Sequence, residues 1–124
     1  MKQVDPIPPK SLNIKILQEY CNILIGKHDF TSFSALSDTN KSKIRYLHSI
    51  KIDKNNDLII IKIIGNAFLH KMIRTIVGTI LKLHRFEMPV SEMEKILKNK
   101  DRRSAGPTFT PRGLIFKKIY YEAL

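Results

Sequence analysis

Cysteine is almost absent from this chain, since Cys21 is the only one among 124 residues. A single cysteine excludes an internal disulfide framework. Cys21 lies at an apolar position of a helical pattern, which predicts a buried and unreactive thiol. The four histidines show no metal-ligand spacing with one another or with Cys21. The sequence therefore predicts no metal site.

Long apolar runs are also absent. The longest, Leu58 to Ile64, is interrupted by Lys62 and is far too short to span a bilayer. The N-terminus is polar and proline-rich, which is not typical of a signal peptide. These features predict a soluble cytoplasmic protein that has no membrane partner.

Acidic residues are scarce relative to basic ones. The chain has 11 Asp and Glu against 22 Lys and Arg, which gives a formal net charge of +11. Such an excess is typical of proteins that bind nucleic acid. A compositional bias toward lysine, isoleucine and asparagine is the alternative explanation. It does not explain why acidic residues are half as common as basic ones, so we favour a polyanionic partner.

The length corresponds to one domain, or to half of a two-part protein. Prolines 6, 8 and 9 exclude a helix at the start, so residues 1–10 are expected to be an extended linker that precedes a domain at 11–124. Ser11 is a candidate cap for a first helix that stops at Gly26. Residues 27–40 are predicted to form a loop.

Two strands follow this loop. The first alternates from residue 44 and is predicted to place five residues on one face: Ile44, Tyr46, His48, Ile50 and Ile52. The second, Leu58 to Ile64, is almost continuously β-branched, which predicts a central strand buried on both sides. A polar turn between them predicts an antiparallel hairpin.

The remaining pattern predicts two helices and a last strand. Asn66 is a candidate cap for a helix from Phe68 to about His84, and Ser91 with Glu94 resembles a capping box for a short helix. Residues 98–113 form a basic loop, and 114–121 a strand. The interleaved elements predict an α+β fold, an antiparallel β-sheet with helices packed on one face.

Arg74 is the first candidate functional residue. It lies in the segment from Gly65 to Gly78, on the side of the helix opposite the apolar stripe. An arginine in this position is commonly a solvated surface residue. Gly78 argues for more, because a glycine inside a helix costs about 1 kcal/mol relative to alanine and indicates a close approach.

A second segment, residues 101–114, is rich in glycine, proline and arginine and contains Ala105-Gly106-Pro107-Thr108. It is either an ordinary solvated turn or a loop that contacts phosphate at the edge of a pocket. Upstream, the segment His28 to Phe33 contains Asp29, and its two phenylalanines, Phe30 and Phe33, are predicted to be packing anchors.

Together these three segments, in this order, resemble the C-terminal half of the tRNA pseudouridine synthase A family, over residues about 12 to 121. The helix segment matches the pattern Gly-Asn-x-Phe-Leu-x-x-Met-x-Arg-x-x-Val-Gly, and the loop matches Ala-Gly-Pro-Thr followed by Gly-Leu. This chain has Phe109 to Arg112 where the family more often has small residues and proline. The resemblance implies the C-terminal half of the pseudouridine synthase fold.

The resemblance also implies roles. The family's catalytic aspartate lies in a Gly-Arg-Thr-Asp-type motif that this chain lacks, and Asp29 is not that residue, because the family keeps an aspartate at both places. The chain alone is therefore expected to be inactive. Arg74 matches the position that pairs with the catalytic aspartate. The substrate-binding positions implied or proposed beside it are Phe68, Leu69, His70, Met72, Arg102, Arg103 and Arg112.

The implied reaction is isomerisation of uridine to pseudouridine in the tRNA anticodon arm, at tRNA positions 38–40, by a homodimer that needs no cofactor and no metal. Core packing is the alternative role for Phe68, Leu69 and Met72. For the whole chain, one alternative is a basic RNA-binding domain that never catalyses. Another is an interaction domain whose basic charge is compositional.

Overall fold

A computed structural model of the chain describes residues 12–55, 58–109 and 118–123. The expected linker at residues 1–10, the cap at Ser11 and Arg112 lie outside the described residues. The described helices and strands, in chain order, are α1 Ile14–Asn22, β1 Gly26–Asp29, β2 Ile44–Asn55, β3 Leu58–Gly65, α2 Met72–Arg85, α3 Ser91–Asn99 and β4 Lys118–Ala123. Short 3-10 turns cover Thr31–Phe33 and Arg102–Ser104.

The strands form one sheet in the order β1-β2-β3-β4. The pairs β1–β2 and β2–β3 are antiparallel, whereas β3 and β4 are parallel. A parallel pair needs a long crossover connection, and α2, α3 and the basic loop provide it. The predicted α+β fold and the β2–β3 hairpin are confirmed, with the refinement that the sheet is mostly rather than wholly antiparallel.

The core lies on one face of the sheet. In β3 the side chains of Ile59, Ile61 and Ile63 are buried, whereas Lys62 on the opposite face is exposed. The prediction that β3 is buried on both sides is therefore wrong. Its β-branched run suits a strand in the middle of the sheet, but only alternate residues contact the helices.

In β2 the prediction that five residues from Ile44 to Ile52 share one face is wrong over the first half of the strand. Ile44 and Tyr46 are 47% and 42% exposed, whereas Leu47, between them and Ile50, is fully buried, and Ile50 and Ile52 are also buried. The pairing with β3 shifts between Leu47 and Ser49. Such a bulge adds one residue to one strand and exchanges the faces on either side of it. A constant period of two carried across the bulge therefore assigns one half incorrectly.

Helix α1 packs on β2 through its buried stripe. The side chain of Gln18 donates to the Ile50 carbonyl at 2.7 Å and accepts from the Ile52 N–H at 3.0 Å. The helix begins after Asn13, whose side-chain oxygen accepts from the N–H of Ile16. It ends at Asn22 rather than at Gly26, which instead opens β1 with a φ of 109°.

The predicted loop at residues 27–40 contains more structure than expected. Its first residues form β1, which pairs with the start of β2, and the 3-10 turn follows. Phe30 and Phe33 are fully buried and contact each other edge to face, with ring centroids 6.2 Å apart. They are packing anchors, as predicted. Four residues were too few to show a strand by alternation alone.

Helix α2 supplies the predicted apolar stripe, but it begins at Met72 rather than at Phe68. Asn66 does not cap it, because its side-chain oxygen accepts from the Tyr46 N–H of β2 at 3.0 Å. Helix α3 begins at Ser91, so that Ser91 lies inside the helix, and the predicted capping box does not form. In both cases a polar side chain near a helix start has another position or partner.

Cys21 is fully buried, and burial raises the pKa of its thiol to about 12. The thiol therefore stays protonated at neutral pH and is unreactive, as predicted. Within the described ranges, none of the helices has the length and apolarity needed to cross a membrane.

The alternation in β3 gives a matched pair of neighbouring residues for a stability test. We expect Ile61→Ala to lower the free energy of unfolding by about 2–5 kcal/mol, because it opens a cavity in the core. Ile60→Ala should cost clearly less, since Ile60 lies on the outer face and is only half-buried. Urea unfolding of both variants measures the difference. Equal losses would show that the outer face is packed as tightly as the core.

Candidate functional site

Arg74 lies in the first turn of α2 with its side chain exposed, between the buried residues Ile73 and Thr75. Within the described residues its guanidinium has neither a hydrogen-bond partner nor an ion-pair partner. The exposed position agrees with the helix face assigned from the sequence. A cation held at the start of a rigid helix, with its donors unused, is available to an anion from outside this part of the chain.

The turn that precedes Arg74 sets where α2 begins. Residues 66–71 leave β3, and Lys71 then adopts a left-handed conformation with φ 60° and ψ 12°. For a residue with a side chain this conformation costs about 1–2 kcal/mol. It ends the turn and starts the helix, which is why Phe68 to His70 lie before α2 and not inside it.

Asp38, which lies in the loop between β1 and β2, contacts this turn. Its side chain is 1% exposed, and its Oδ2 accepts from the backbone N–H of His70 at 2.8 Å. Its Oδ1 accepts from the backbone and side-chain nitrogens of Asn40 and from the Lys43 ammonium, at 2.8–2.9 Å. The backbone N–H groups of Asn40 and His70, followed by Lys43, hold the pKa of the Asp38 carboxyl well below its usual range.

The sequence reasoning missed Asp38. The pattern Asp38-Thr39-Asn40 is typical of a turn in which the carboxylate accepts from the N–H two residues on. That signal predicts the local turn, but it does not identify the contact with His70, which lies 32 residues further along the chain.

The Ala-Gly-Pro-Thr loop lies directly on α2. A Cβ built on Gly78 would fall 1.7 Å from the Pro107 carbonyl oxygen, and one built on Gly106 would fall 2.7 Å from the Thr79 Cα. The Gly106 N–H donates to Thr79 Oγ1 at 2.9 Å. The close approach predicted from a glycine inside this helix is confirmed, and the partner is the loop itself.

The same loop reaches the backbone of Arg74. The Phe109 N–H donates to the Arg74 carbonyl at 2.9 Å, and the hydroxyls of Thr75 and Thr108 lie 3.4 Å apart. The two segments that the sequence singled out are thus in direct contact. Arg74 is held by the loop on its carbonyl side and by the turn at residue 71 on its N-terminal side.

The loop arginines differ in their environment. Arg102 donates to the Gly106 carbonyl at 2.9 Å and to Thr108 Oγ1 at 3.3 Å, so it braces the loop from within. Arg103 is 87% exposed and forms an ion pair with Asp101. Two lysines beside the loop are also near carboxylates, with Lys98 2.9 Å from Glu94 and Lys100 4.0 Å from Asp29.

The apolar candidates divide into two groups. Leu69 and Met72 are buried in the core, where the packing alternative places them. Phe68 is half-buried and meets the ring of Tyr121 edge to face, with centroids 5.5 Å apart, at the edge of the sheet. His70 is exposed. Phe68 and His70 therefore flank the turn before Arg74 at the surface, and Leu69 and Met72 anchor that turn from below.

A separate cavity of about 350 Å³ lies between α3 and β1, and its lining includes His28, Asp29 and Leu97. Among the predicted site residues that the structure describes, none lines it. In residues 12–55, 58–109 and 118–123, no three histidine, cysteine or acidic side chains cluster in a way that could hold a metal ion.

Comparison with known proteins shows the family to which the chain belongs. The sequence profile described as tRNA pseudouridine synthase matches residues 20–122. The chain therefore belongs to the tRNA pseudouridine synthase family, whose members are isomerases that act on tRNA.

Individual relatives carry a narrower name. The chain is 46% identical over 113 residues to tRNA pseudouridine synthase A of Borreliella afzelii (strain PKo). The aligned region covers 91% of this chain and 46% of that protein. It is 41% identical over 116 residues to tRNA pseudouridine synthase A of Streptococcus pyogenes serotype M49 (strain NZ131), with coverage of 92% and 47%. The chain spans about half the length of the relatives it matches.

Gly78 provides a test of the contact between loop and helix. In an open helix, glycine to alanine stabilises by about 1 kcal/mol. We expect Gly78→Ala to destabilise instead, by about 1–3 kcal/mol, because the new methyl group meets backbone atoms that must move. Lys82→Ala, at an exposed position on the same helix, should stay within about 0.5 kcal/mol of the parent. A stabilised Gly78→Ala variant in thermal unfolding would contradict the close contact.

Asp38 provides a pH test. Because its pKa is lowered on folding, the unfolded chain binds its proton more readily, so ionised Asp38 favours the folded state. This contribution is complete above the unfolded value of about 3.9 and is lost as the pH falls towards the folded pKa. We expect Asp38→Asn to be less stable than the parent at pH 6, with the difference shrinking below pH of about 4. Urea titrations at a series of pH values measure it, and a gap that is constant with pH would contradict the assignment.

Proposed function

We propose that this chain is the C-terminal domain of a tRNA pseudouridine synthase that isomerises uridine to pseudouridine in the tRNA anticodon arm, at tRNA positions 38–40. The reaction breaks the bond between N1 of uracil and C1′ of ribose and forms a bond from C5 to C1′. The C5 proton is lost and N1 gains a proton, so there is no net oxidation. No cofactor or metal is part of the proposal.

Arg74 carries the proposal. Its guanidinium is exposed and has no polar partner within the described residues, while its backbone is held by the loop and its helix start is fixed. An aspartate nucleophile must remain ionised in a pocket that excludes water, where burial alone would raise its pKa. A nearby arginine lowers that pKa and never loses its own proton. We propose that Arg74 fills this role for an aspartate outside this chain.

The substrate contacts would lie around the same turn. Phe68 is half-buried and His70 is exposed in the turn that leads to Arg74, and we propose that they contact a uridine taken out of its stack. Such extrusion costs a few kcal/mol, and contacts between basic residues and phosphates offset part of it. We propose that Arg103, which is almost fully exposed, exchanges its ion pair with Asp101 for a phosphate when RNA binds, whereas Arg102 acts by shaping the loop. Leu69 and Met72 support the turn from the core.

The chain spans about half of its relatives' length, and no Gly-Arg-Thr-Asp motif occurs in it. We propose that the complete cytoplasmic enzyme is a homodimer with tRNA in a basic cleft, and that the 124-residue chain by itself releases no product. The second candidate function, a non-catalytic RNA-binding domain, is supported only by the net charge of +11.

Activity is best measured in a chimaera. Residues 12–122 of this chain, which include the whole of α1, replace the matching segment of the Borreliella afzelii enzyme, and tritium release from tRNA labelled at C5 of uridine reports turnover. We expect the chimaera to be active and Arg74→Ala to lower turnover by at least about a hundredfold, since breaking a buried ion pair costs roughly 3–5 kcal/mol. Arg74→Lys keeps the charge without the planar fork and should retain part of the activity.

The controls separate function from folding. Lys82→Ala should leave turnover unchanged, and Arg74→Ala should shift the unfolding free energy of the 124-residue chain by no more than about 0.5 kcal/mol. Near-normal turnover in Arg74→Ala would refute the pairing role. An inactive chimaera would favour the RNA-binding alternative if the chain also binds tRNA with a binding constant whose logarithm falls linearly with the logarithm of the salt concentration.

A further inference from the structure

The loop at residues 34–43 forms hydrogen bonds with both backbone groups of one residue, His70. The His70 N–H donates to Asp38 Oδ2 at 2.8 Å, and the His70 carbonyl accepts from the Ala35 N–H at 3.1 Å. Both backbone polar groups of residue 70 are therefore bound to one loop, although the two segments are distant in sequence. The backbone of residue 70 is fixed relative to that loop.

Residue 70 is the last one before the left-handed Lys71. The Met72 N–H donates to the Leu69 carbonyl and the Thr75 N–H to the Lys71 carbonyl, so the turn passes directly into α2. A non-glycine residue stays in a left-handed conformation only when its surroundings hold it there. The two hydrogen bonds to residue 70 come from outside the turn, at the residue directly before Lys71.

Asp38 is itself held firmly. Its Oδ1 receives three donors, from the backbone and side chain of Asn40 and from the Lys43 ammonium, which leaves Oδ2 directed at His70. The carbonyl of Lys43 in turn accepts from the N–H of Phe30, a fully buried residue. Hydrogen bonds to an ionised carboxylate are stronger than those between neutral groups. The loop is thus anchored in the core at one end and holds the turn at the other.

We propose that Asp38 is a positioning residue for Arg74. By fixing residue 70 it keeps Lys71 left-handed, and this sets the residue at which α2 begins and the direction in which the third residue of the helix, Arg74, points. The inference rests on the proposed function, because it assumes that Arg74 acts in the reaction. It goes beyond that function because it assigns the orientation of the Arg74 side chain to a carboxylate that does not itself contact the substrate.

The expected size of the effect follows from a contact of Arg74 that does not involve Asp38. The Arg74 carbonyl still accepts from Phe109 after Asp38 is changed, so one of the two supports remains. The helix should therefore persist, with its first turn displaced or frayed. A misplacement of about 1 Å in a catalytic geometry costs up to roughly a hundredfold in rate. We expect a partial loss of turnover rather than an unfolded protein.

The kinetic experiment uses the chimaera described above. Asp38→Ala should lower kcat about 10- to 100-fold with little change in KM, and Asp38→Asn less, because its amide oxygen still accepts from His70. Gln18→Ala removes two hydrogen bonds between α1 and β2, far from this turn, and controls for a general loss of stability. A loss of kcat in Gln18→Ala equal to that in Asp38→Ala would overturn the proposal.

A double variant tests whether Asp38 acts through Arg74. If it does, Asp38→Ala should cost little further activity once Arg74 is alanine, so the two losses will not add. Losses that multiply would show that Asp38 acts elsewhere and would overturn the proposal. Normal turnover in Arg74→Ala alone would refute the proposed role of Arg74, and with it the role of Asp38 in catalysis.

Hydrogen exchange on the 124-residue chain tests the hydrogen bonds that hold residue 70, and it needs no measurement of activity. Asp38→Ala should speed exchange at the amides of His70 and Thr75, while the amide of Ile61 in the central strand keeps its protection. Unchanged exchange at His70 and Thr75 would overturn the proposal, whether or not the chimaera is active. Failure of the positioning inference is thereby distinguished from failure of the proposed function.

Discussion

Two backbones touch where the loop at residues 105–109 crosses α2, because Gly78 and Gly106 at the crossing both lack a side chain. This contact brings the Phe109 N–H to the Arg74 carbonyl. It also explains why the two most informative segments of the sequence occur together. Each glycine makes room for the backbone of the other segment, and neither would be needed without its partner.

The large positive charge does not by itself define the site. Around the loop, Lys98 and Arg103 have acidic partners, and Arg102 is used to brace carbonyl and hydroxyl groups. Arg74 differs in having a rigid backbone and an uncommitted side chain within the described residues. A site for a carboxylate or phosphate depends on such an unpaired, well-placed cation more than on the total charge of +11, since paired surface charges add little attraction at physiological salt.

Much of this architecture could be predicted from sequence wherever one period ran unbroken. The stripe of α2 and the β2–β3 hairpin follow directly from such patterns. The bulge after Leu47 could not be predicted, because one inserted residue leaves composition unchanged and reverses the faces. The start of α2 was missed because Lys71 is left-handed without being glycine or asparagine, and that conformation depends on tertiary contacts.

The candidate site divides in the same way. Arg74 and Gly78 could be found from the sequence because helical geometry places one at the surface and gives the other an unusual cost. The sequence did not predict that Leu69 and Met72 are buried while Phe68 and His70 lie nearer the surface. That difference depends on the turn before α2, because in a continuous helix these side chains would point in other directions. Asp38 was missed because its key hydrogen bond joins residues that no local pattern connects.

The parallel position of β4 beside β3 has a consequence for the order of folding. The β2–β3 hairpin joins neighbouring segments and forms at a small entropic cost, whereas β4 pairs with β3 only after the whole stretch between residues 65 and 118 has been closed into a loop. Non-local pairings of this kind slow folding. Until they form, one edge of β3 keeps unpaired backbone groups that favour association with other chains. During synthesis on the ribosome this edge of β3 stays open until β4 emerges, and in that interval it exposes the nascent chain to misassembly.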